Sequence, residues 1–333
     1  METLILGHVQ VHHLLPVEEC IPVMEEALKT LASGDVVLPL RHAVMLPDRR
    51  GLLGLMPAYL GRPTAMGAKI ISVFHGNRGT PYESHQGAVL LFEIEHGRLL
   101  AMVDAASVTA IRTAAVSAVA TRHLAVEKAG DLAILGSGTQ ASMHLNAMRA
   151  VRPIRRVRVW SRTPGHAEHF AARESERSGI RVEVAESAGD AVEAADVICT
   201  TTGAMAPILL GDWIAPGAHI NAVGASRPPF RELDTPAVVR SRLYVDRRES
   251  AFSEAEDFLA PKREGAIGDE HIVGELGEVL LRKVPGRTSP SDITLFKSLG
   301  LAIEDLAAAH YVYSRALSLH AGTAVDFVAG RAE

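Results

Sequence analysis

The stretch LAILGSGTQA, residues 132–141, constrains the fold more than any other part of the 333-residue chain. An apolar run opens into Gly136-Ser137-Gly138-Thr139-Gln140-Ala141 and continues as TQASMHLNAMRAV, where Ala141, Leu145 and Met148 share one helical face. This is a buried strand, a tight turn and a helix. Glycine turns are common after strands, so the context carries the reading: strand before, helix and second strand after. Gly136 permits the turn, Gly138 lets the backbone approach a pyrophosphate, and Ala141 is small enough for helix–strand contact. The helix N-terminus offers N–H donors to the anion. The unit begins about two-fifths of the way along the chain, so a substantial region must precede it.

From residue 131 onward, LAILG, VRVW, RVEV, DVICTT, HINAV and RLYVD alternate with helical patterns such as GHAEHFAARESERSG, which predicts a doubly wound parallel sheet. The preceding region reads differently. LILGHVQVHHLL suggests a strand, and PVEECIPVMEEALKTLASG a helix ending at Gly34. LPLRHAVML, LLGLMPAYLG, AMGAKIISVF and AVLLFEIEHGRLLAMV suggest an antiparallel sheet with a hairpin at Gly97. The Ala-rich helix SVTAIRTAAVSAVATRHLA follows. DITLFKSLGLAIEDLAAAHYVYSRALSL reads as one or two helices packing back on the first region, and GDEHIVGELGEV as a solvated helix and loop.

Composition narrows the class. Hydrophobic residues at 47% and charged residues at 22% are ordinary for a soluble enzyme, and a net charge of −5 gives no footprint for nucleic acid or an anionic membrane. Two cysteines, Cys20 in a helical and Cys199 in a strand pattern, make no disulfide framework and fit a reducing cytoplasm. METLILGHVQ lacks a signal-peptide pattern, and no apolar run reaches membrane-spanning length. His8, His12 and His13 lack a Cys or carboxylate cluster, and a strand would put the adjacent pair on opposite faces, so no metal site is expected.

Cofactor choice is read at the end of the second strand. An acidic residue there would hold the ribose 2′-hydroxyl of NAD, but the chain has Trp160-Ser161-Arg162-Thr163. Ser161, Arg162 and Thr163 suit a 2′-phosphate through charge-assisted hydrogen bonds, favouring NADPH, with NADH a weaker alternative. The later strand ends, Thr200-Thr201-Thr202 and Val223-Gly224-Ala225-Ser226, border the nicotinamide edge, where small side chains leave room for a flat ring.

SHQGAVLLFEIEHGRLLAMVDAASVTAIRTAAVSAVATRHL, LAILGSGTQA, GAHINAVGASRPPFREL and LFKSLGLAIEDLAAA together resemble the ornithine cyclodeaminase/mu-crystallin family, in order and over nearly the whole chain, with the mu-crystallin branch nearest. The resemblance implies a Rossmann-type doubly wound parallel sheet domain, residues 119–302, inserted in an α+β substrate-binding and dimerisation domain, residues 1–118 plus 303–333. It also implies a homodimer and a carboxylate-binding set made of Arg41 in LPLRHAVM, Lys69 in GAKIIS and Arg112 in TAIRTAA, with Thr113 beside the cofactor. Their chemistry is apt: Arg binds a carboxylate bidentately, and a desolvated Lys among cations can pass a proton. An alternating strand would aim Lys69 at one defined face. His85 in SHQG is a further pocket-lining candidate, and His219 reads as a satisfied strand histidine.

One departure sorts the branches. Cyclodeaminases and related alanine dehydrogenases carry an Asp where this chain has Ser226, and the cyclodeaminases use NAD. The expected activity is therefore NADPH-dependent reduction of a cyclic imino acid, pyrroline- or piperideine-2-carboxylate, to L-proline or L-pipecolate. Arg41 and Arg112 would clamp the carboxylate and Lys69 would supply the proton. Ornithine cyclodeamination or open-chain amino-acid dehydrogenation are the enzymatic alternatives. An NADPH-dependent binding protein, as in the thyroid-hormone binding of mu-crystallin, is the alternative of another class.

Overall fold

The computed structural model describes residues 2–77 and 79–327. Its contacts divide the chain into two compact units, one holding the chain up to Arg112 and again from Leu301, the other Thr113–Gly300. The first unit opens with strand β1 (Glu2–Leu6) and helices α1 (His8–Leu14) and α2 (Val17–Ala32). Strands β2 (Val36–Val37), β3 (His42–Met45), β4 (Leu52–Gly61), β5 (Thr64–Val73), β6 (His85–Phe92) and β7 (Leu99–Asp104) follow. Helix α3 (Ala105–Leu124) then carries the chain into the second unit.

The LILGHVQVHHLL segment departs from expectation: only Glu2–Leu6 is a strand, and His8–Leu14 is helical. Buried Val11, Leu14 and Leu15 recur at helical spacing, and the β-branched valines mask it. The helix also brings the His8 and His12 rings, about 13 Å apart along a strand, to 4.5 Å between centroids. Among the described residues, the one grouping with metal-ligand spacing is instead Glu93, Glu95 and His96 on the exposed β6–β7 turn.

In the second unit, β8 (Asp131–Leu135), α4 (Thr139–Val151), β9 (Arg156–Trp160), α5 (Pro164–Ser178), β10 (Val182–Val184), α6 (Ala188–Val192), β11 (Val197–Thr200) and β12 (His219–Ala222) alternate as the sequence implies. After α7 (Thr235–Val239) and β13 (Ser241–Val245) come α8 (Arg248–Glu254), α9 (Glu256–Arg263), β14 (Ile272–Glu275), α10 (Leu276–Leu280) and β15 (Ile293–Lys297). All strands pair in parallel, in the order β10-β9-β8-β11-β12-β15-β13-β14. Leu135, Ile198, Ile220, Leu243, Leu295 and Phe258 belong to one core cluster.

Two segments correct the sequence reading. DITLFK is not helical but supplies β15 in the interior of the sheet; every residue of Ile293–Lys297 is buried, so neither a two-residue nor a 3.6-residue period survives in it. IVGE is the edge strand β14; in the supposed solvated helix and loop, Asp269–His271 is a 3-10 turn and the α-helix begins only at Leu276.

The chain returns to the first unit as α11 (Ala302–Leu319) and β16 (Thr323–Asp326). The sheet there runs β16-β1-β7-β6-β5-β4-β2, with β3 also on β4 and β1 parallel to β7. Helix α11 packs on α2, β4, β5 and β6. No helix among the described residues is long and apolar enough to cross a membrane.

Candidate active site

Lys69 sits in mid-β5, opposite Met56 of β4 and Val89 of β6, so all three point to one face of the sheet. Alternation buries Ala65, Lys69 and Ile71 on that face, and Lys69 is only 3% exposed. Its ammonium lies 2.7 Å from Asp305 Oδ2 and donates to Thr109 Oγ1 at 3.3 Å. A lysine has three such donors. Among the described residues these two partners leave one for a ligand.

Arg112 on α3 is buried beside it. Its Nε donates to Asp305 Oδ1 at 2.9 Å and its Nη1 to Glu304 Oε2 at 2.7 Å. Asp305 thus bridges the two cations, one carboxylate oxygen to each. Glu304 and Asp305 occupy the first turn of α11, where the helix dipole favours acids, and Glu304 Oε2 also accepts from Leu301 N. Burial lowers the Lys69 pKa to about 8; Arg112 and Arg41 act in the same direction, and Asp305 opposes them. Burial pushes the Asp305 carboxyl up, but Arg112 and Lys69 more than offset this and hold it below its usual value. Arg41, just ahead of β3, is half-buried. His85 shares the Lys69 face but pairs with Val73, four residues along β5, about 13 Å away at the usual rise per residue. It hydrogen-bonds Ser84 through Nδ1 at 2.9 Å.

The second unit brings another row of predicted residues together. Trp160, Leu135, Thr200 and Ala222 lie side by side in adjacent parallel strands, so Ser161, Gly136, Thr201 and Val223 leave the sheet along one edge. Gly136 has φ +126°, and a Cβ there would lie 2.5 Å from Thr201 Oγ1, so only glycine fits. A Cβ on Gly138 would meet nothing within 4 Å, and no side chain caps α4 there. Open space beside uncapped helical N–H groups fits a pyrophosphate. Ser137 Oγ donates to Ser161 Oγ at 3.1 Å; Arg162 and Thr163 are exposed, as Thr139 is, while Gln140 is half-buried. Buried Thr113 follows Arg112 on α3 and belongs to this unit.

Glu232, buried on a loop, organises that edge and was not singled out from sequence. Its Oε1 accepts from Thr202 N at 2.6 Å and Thr202 Oγ1 at 2.8 Å. Its Oε2 accepts from Thr200 Oγ1 at 2.9 Å, Gly224 N at 2.8 Å and Ala225 N at 3.1 Å. Gly224 is required beside it, since a Cβ would lie 2.0 Å from Thr202 O. Asp257 Oδ1 accepts from the N–H groups of Glu232 and Leu233, and Lys297 Nζ donates to Asp257 Oδ2 at 2.8 Å. Burial raises the Glu232 pKa, Lys297 opposes it and Asp257 adds to it. His219 is buried with Nδ1 3.0 Å from Thr294 Oγ1, and burial lowers its pKa to about 3, so it is a neutral strand residue. Glu304 and Asp305 escaped the sequence reading too; their only signal was two adjacent acids opening a helix.

A model of the ornithine cyclodeaminase/mu-crystallin family matches residues 1–320. The chain belongs to the ornithine cyclodeaminase/mu-crystallin family. Within the family, it is 43% identical over 304 residues to the ketimine reductase mu-crystallin of Mus musculus, covering 90% of this chain and 93% of that one. It superposes on Thermococcus litoralis Delta(1)-pyrroline-2-carboxylate reductase, solved with NADH and L-proline, with TM-score 0.94, 36% identity and coverage of 97% and 100%. An archaeal alanine dehydrogenase dimer with bound NAD gives TM-score 0.92 and 34% identity, covering 98% of this chain and all of its own.

Proposed function

We propose that the chain is an NADPH-dependent ketimine reductase that converts pyrroline-2-carboxylate or piperideine-2-carboxylate to L-proline or L-pipecolate. The observation that carries this is Lys69, a buried ammonium with one donor left for a ligand, among arginines and with its pKa lowered to about 8. A general acid works best when its pKa lies near the working pH. Similarity to a ketimine reductase and to a pyrroline-2-carboxylate reductase supports the same reaction class.

When bound, a reduced nicotinamide supplies the hydride that the imine carbon accepts. Arg41 and Arg112 hold the carboxylate and so fix the ring, with the remaining Lys69 donor beside it and turned to the imine nitrogen. Lys69 Nζ gives a proton to the imine nitrogen, which makes the carbon electrophilic, and recovers it from solvent after product leaves. Thr200–Thr202 and Val223–Ser226, held rigid by Glu232, line the proposed nicotinamide edge without acting as acids. Ser226, lacking a carboxylate, argues against cyclodeamination and alanine-type dehydrogenation.

Ser161, Arg162 and Thr163, with no acid among them, support NADPH over NADH. The Thermococcus litoralis enzyme holds NADH, so preference is tested by running both cofactors. The free, buried thiols of Cys20 and Cys199 fit a reducing cytoplasm. The sheet face opposite Lys69 presents Leu53, Leu55, Tyr59, Met66, Ile70 and Leu90, all partly exposed, and a second copy covering it would make the homodimer. The deciding assay follows nicotinamide absorbance with each cyclic imine, with 2-oxo acids plus amines, and with ornithine. NADPH oxidation confined to cyclic imines supports the reading, and its absence with every imine refutes it. Tight thyroid-hormone binding without turnover would favour a binding protein instead.

A further inference from the structure

Asp305 stands between the two cations assigned to the substrate, fully buried, with Oδ2 on Lys69 Nζ and Oδ1 on Arg112 Nε. Its neighbour Glu304 pairs with Arg112 at Nη1, while the carboxylate that acts on the Lys69 charge is that of Asp305. The two acids therefore do different work although they are adjacent on α11. Arg41 and Arg112 both act on Lys69 against the ammonium, and Asp305 acts for it. Cys20 on α2, the further ionisable group facing Arg112 and Glu304, stays neutral because burial drives its thiol pKa upward.

We infer that Asp305 is a positioning residue that keeps the proton on Lys69 and, as a counter-charge, limits the grip of the site on the substrate carboxylate. The inference rests on the reductase reading above. The same negative charge acts on both functions with opposite sign. It favours the ammonium over the amine at Lys69, and it repels an incoming carboxylate. Removing it should improve binding and harm protonation, a split that loss of packing would not produce. An opposite charge within about 4–6 Å typically moves a pKa by about 1–3 units, so the effect is measurable.

The test is Asp305→Asn, with kcat and KM for pyrroline-2-carboxylate followed across pH, and binding of the non-reacting probe pyrrole-2-carboxylate followed by calorimetry. Expected are a KM about tenfold lower, probe binding tighter by a similar factor, and the alkaline fall in kcat/KM moved down by about one pH unit or more. Unchanged KM and an unmoved limb, or weaker probe binding in a folded variant, would overturn the role of Asp305. Glu304→Gln guards against a variant that fails to fold. It should tighten probe binding yet leave the limb where it is, and a limb displaced by a full unit there would show that summed charge, not Asp305, sets it. If the wild-type protein neither turns over cyclic imines nor binds the probe, the reductase reading itself fails. Wild-type turnover with indifferent variants refutes this inference alone.

Discussion

Two buried charge clusters, one in each unit, use the same residue types to opposite ends. Glu232, Asp257 and Lys297 spend themselves on the chain: three backbone N–H groups and two threonine hydroxyls close on Glu232, and two more N–H groups on Asp257. Lys69, Arg112, Glu304 and Asp305 instead pair mainly side chain with side chain, although Glu304 also takes the Leu301 N–H, and leave a lysine donor over. Burial of charge does not by itself mark a reactive site. The two differ in what their carboxylates accept from: backbone N–H groups and threonine hydroxyls at Glu232, a lysine and an arginine at Asp305.

The largest effect that can break this contrast is Lys69→Met. Its kcat/KM should fall by roughly a thousandfold or more, with NADPH fluorescence titration and thermal midpoint close to wild type. A variant that keeps most of its turnover would move Lys69 from chemistry to structure. Glu232→Gln tests the other side. The amide turns an NH2 toward N–H donors, and urea unfolding should show a loss of about 3 kcal/mol. Unaltered stability would mean that Glu232 does not hold the strand ends together.

Arg162→Ala probes an exposed cation that belongs to neither cluster. NADPH should bind about tenfold more weakly while NADH changes little, because only the 2′-phosphate uses the guanidinium. Equal losses would contradict that assignment. The smallest effect is on pH. The protonated donor is present below the lowered Lys69 pKa and is lost above it, so kcat/KM in wild type should decline as pH rises through about 8. A flat alkaline profile would indicate another proton source.

The sequence made the second unit legible because its signals are local: LAILGSGTQA holds strand, turn and helix within ten residues. The two elements misread there, β14 and β15, are short, and β15 is buried throughout, so periodicity had nothing to report. In the first unit, alternation in AMGAKIISVF was enough to aim Lys69 at one face. It did not reveal what waits there. Asp305 follows Lys69 by more than two hundred residues, and Glu304-Asp305 at a helix start looks like ordinary dipole compensation. Glu232 was hidden in the same way, since PFREL carries no local sign that five donors will meet its carboxylate. Long-range pairing, not local residue type, brings these groups together.

The most direct test of the account compares NADPH oxidation by wild type and Lys69→Met at near-neutral pH, with pyrroline-2-carboxylate and piperideine-2-carboxylate as substrates. The account predicts oxidation by wild type on at least one of the two imines and nearly none by the variant, although both proteins bind NADPH. Inert wild-type protein, or a variant as fast as wild type, would contradict it.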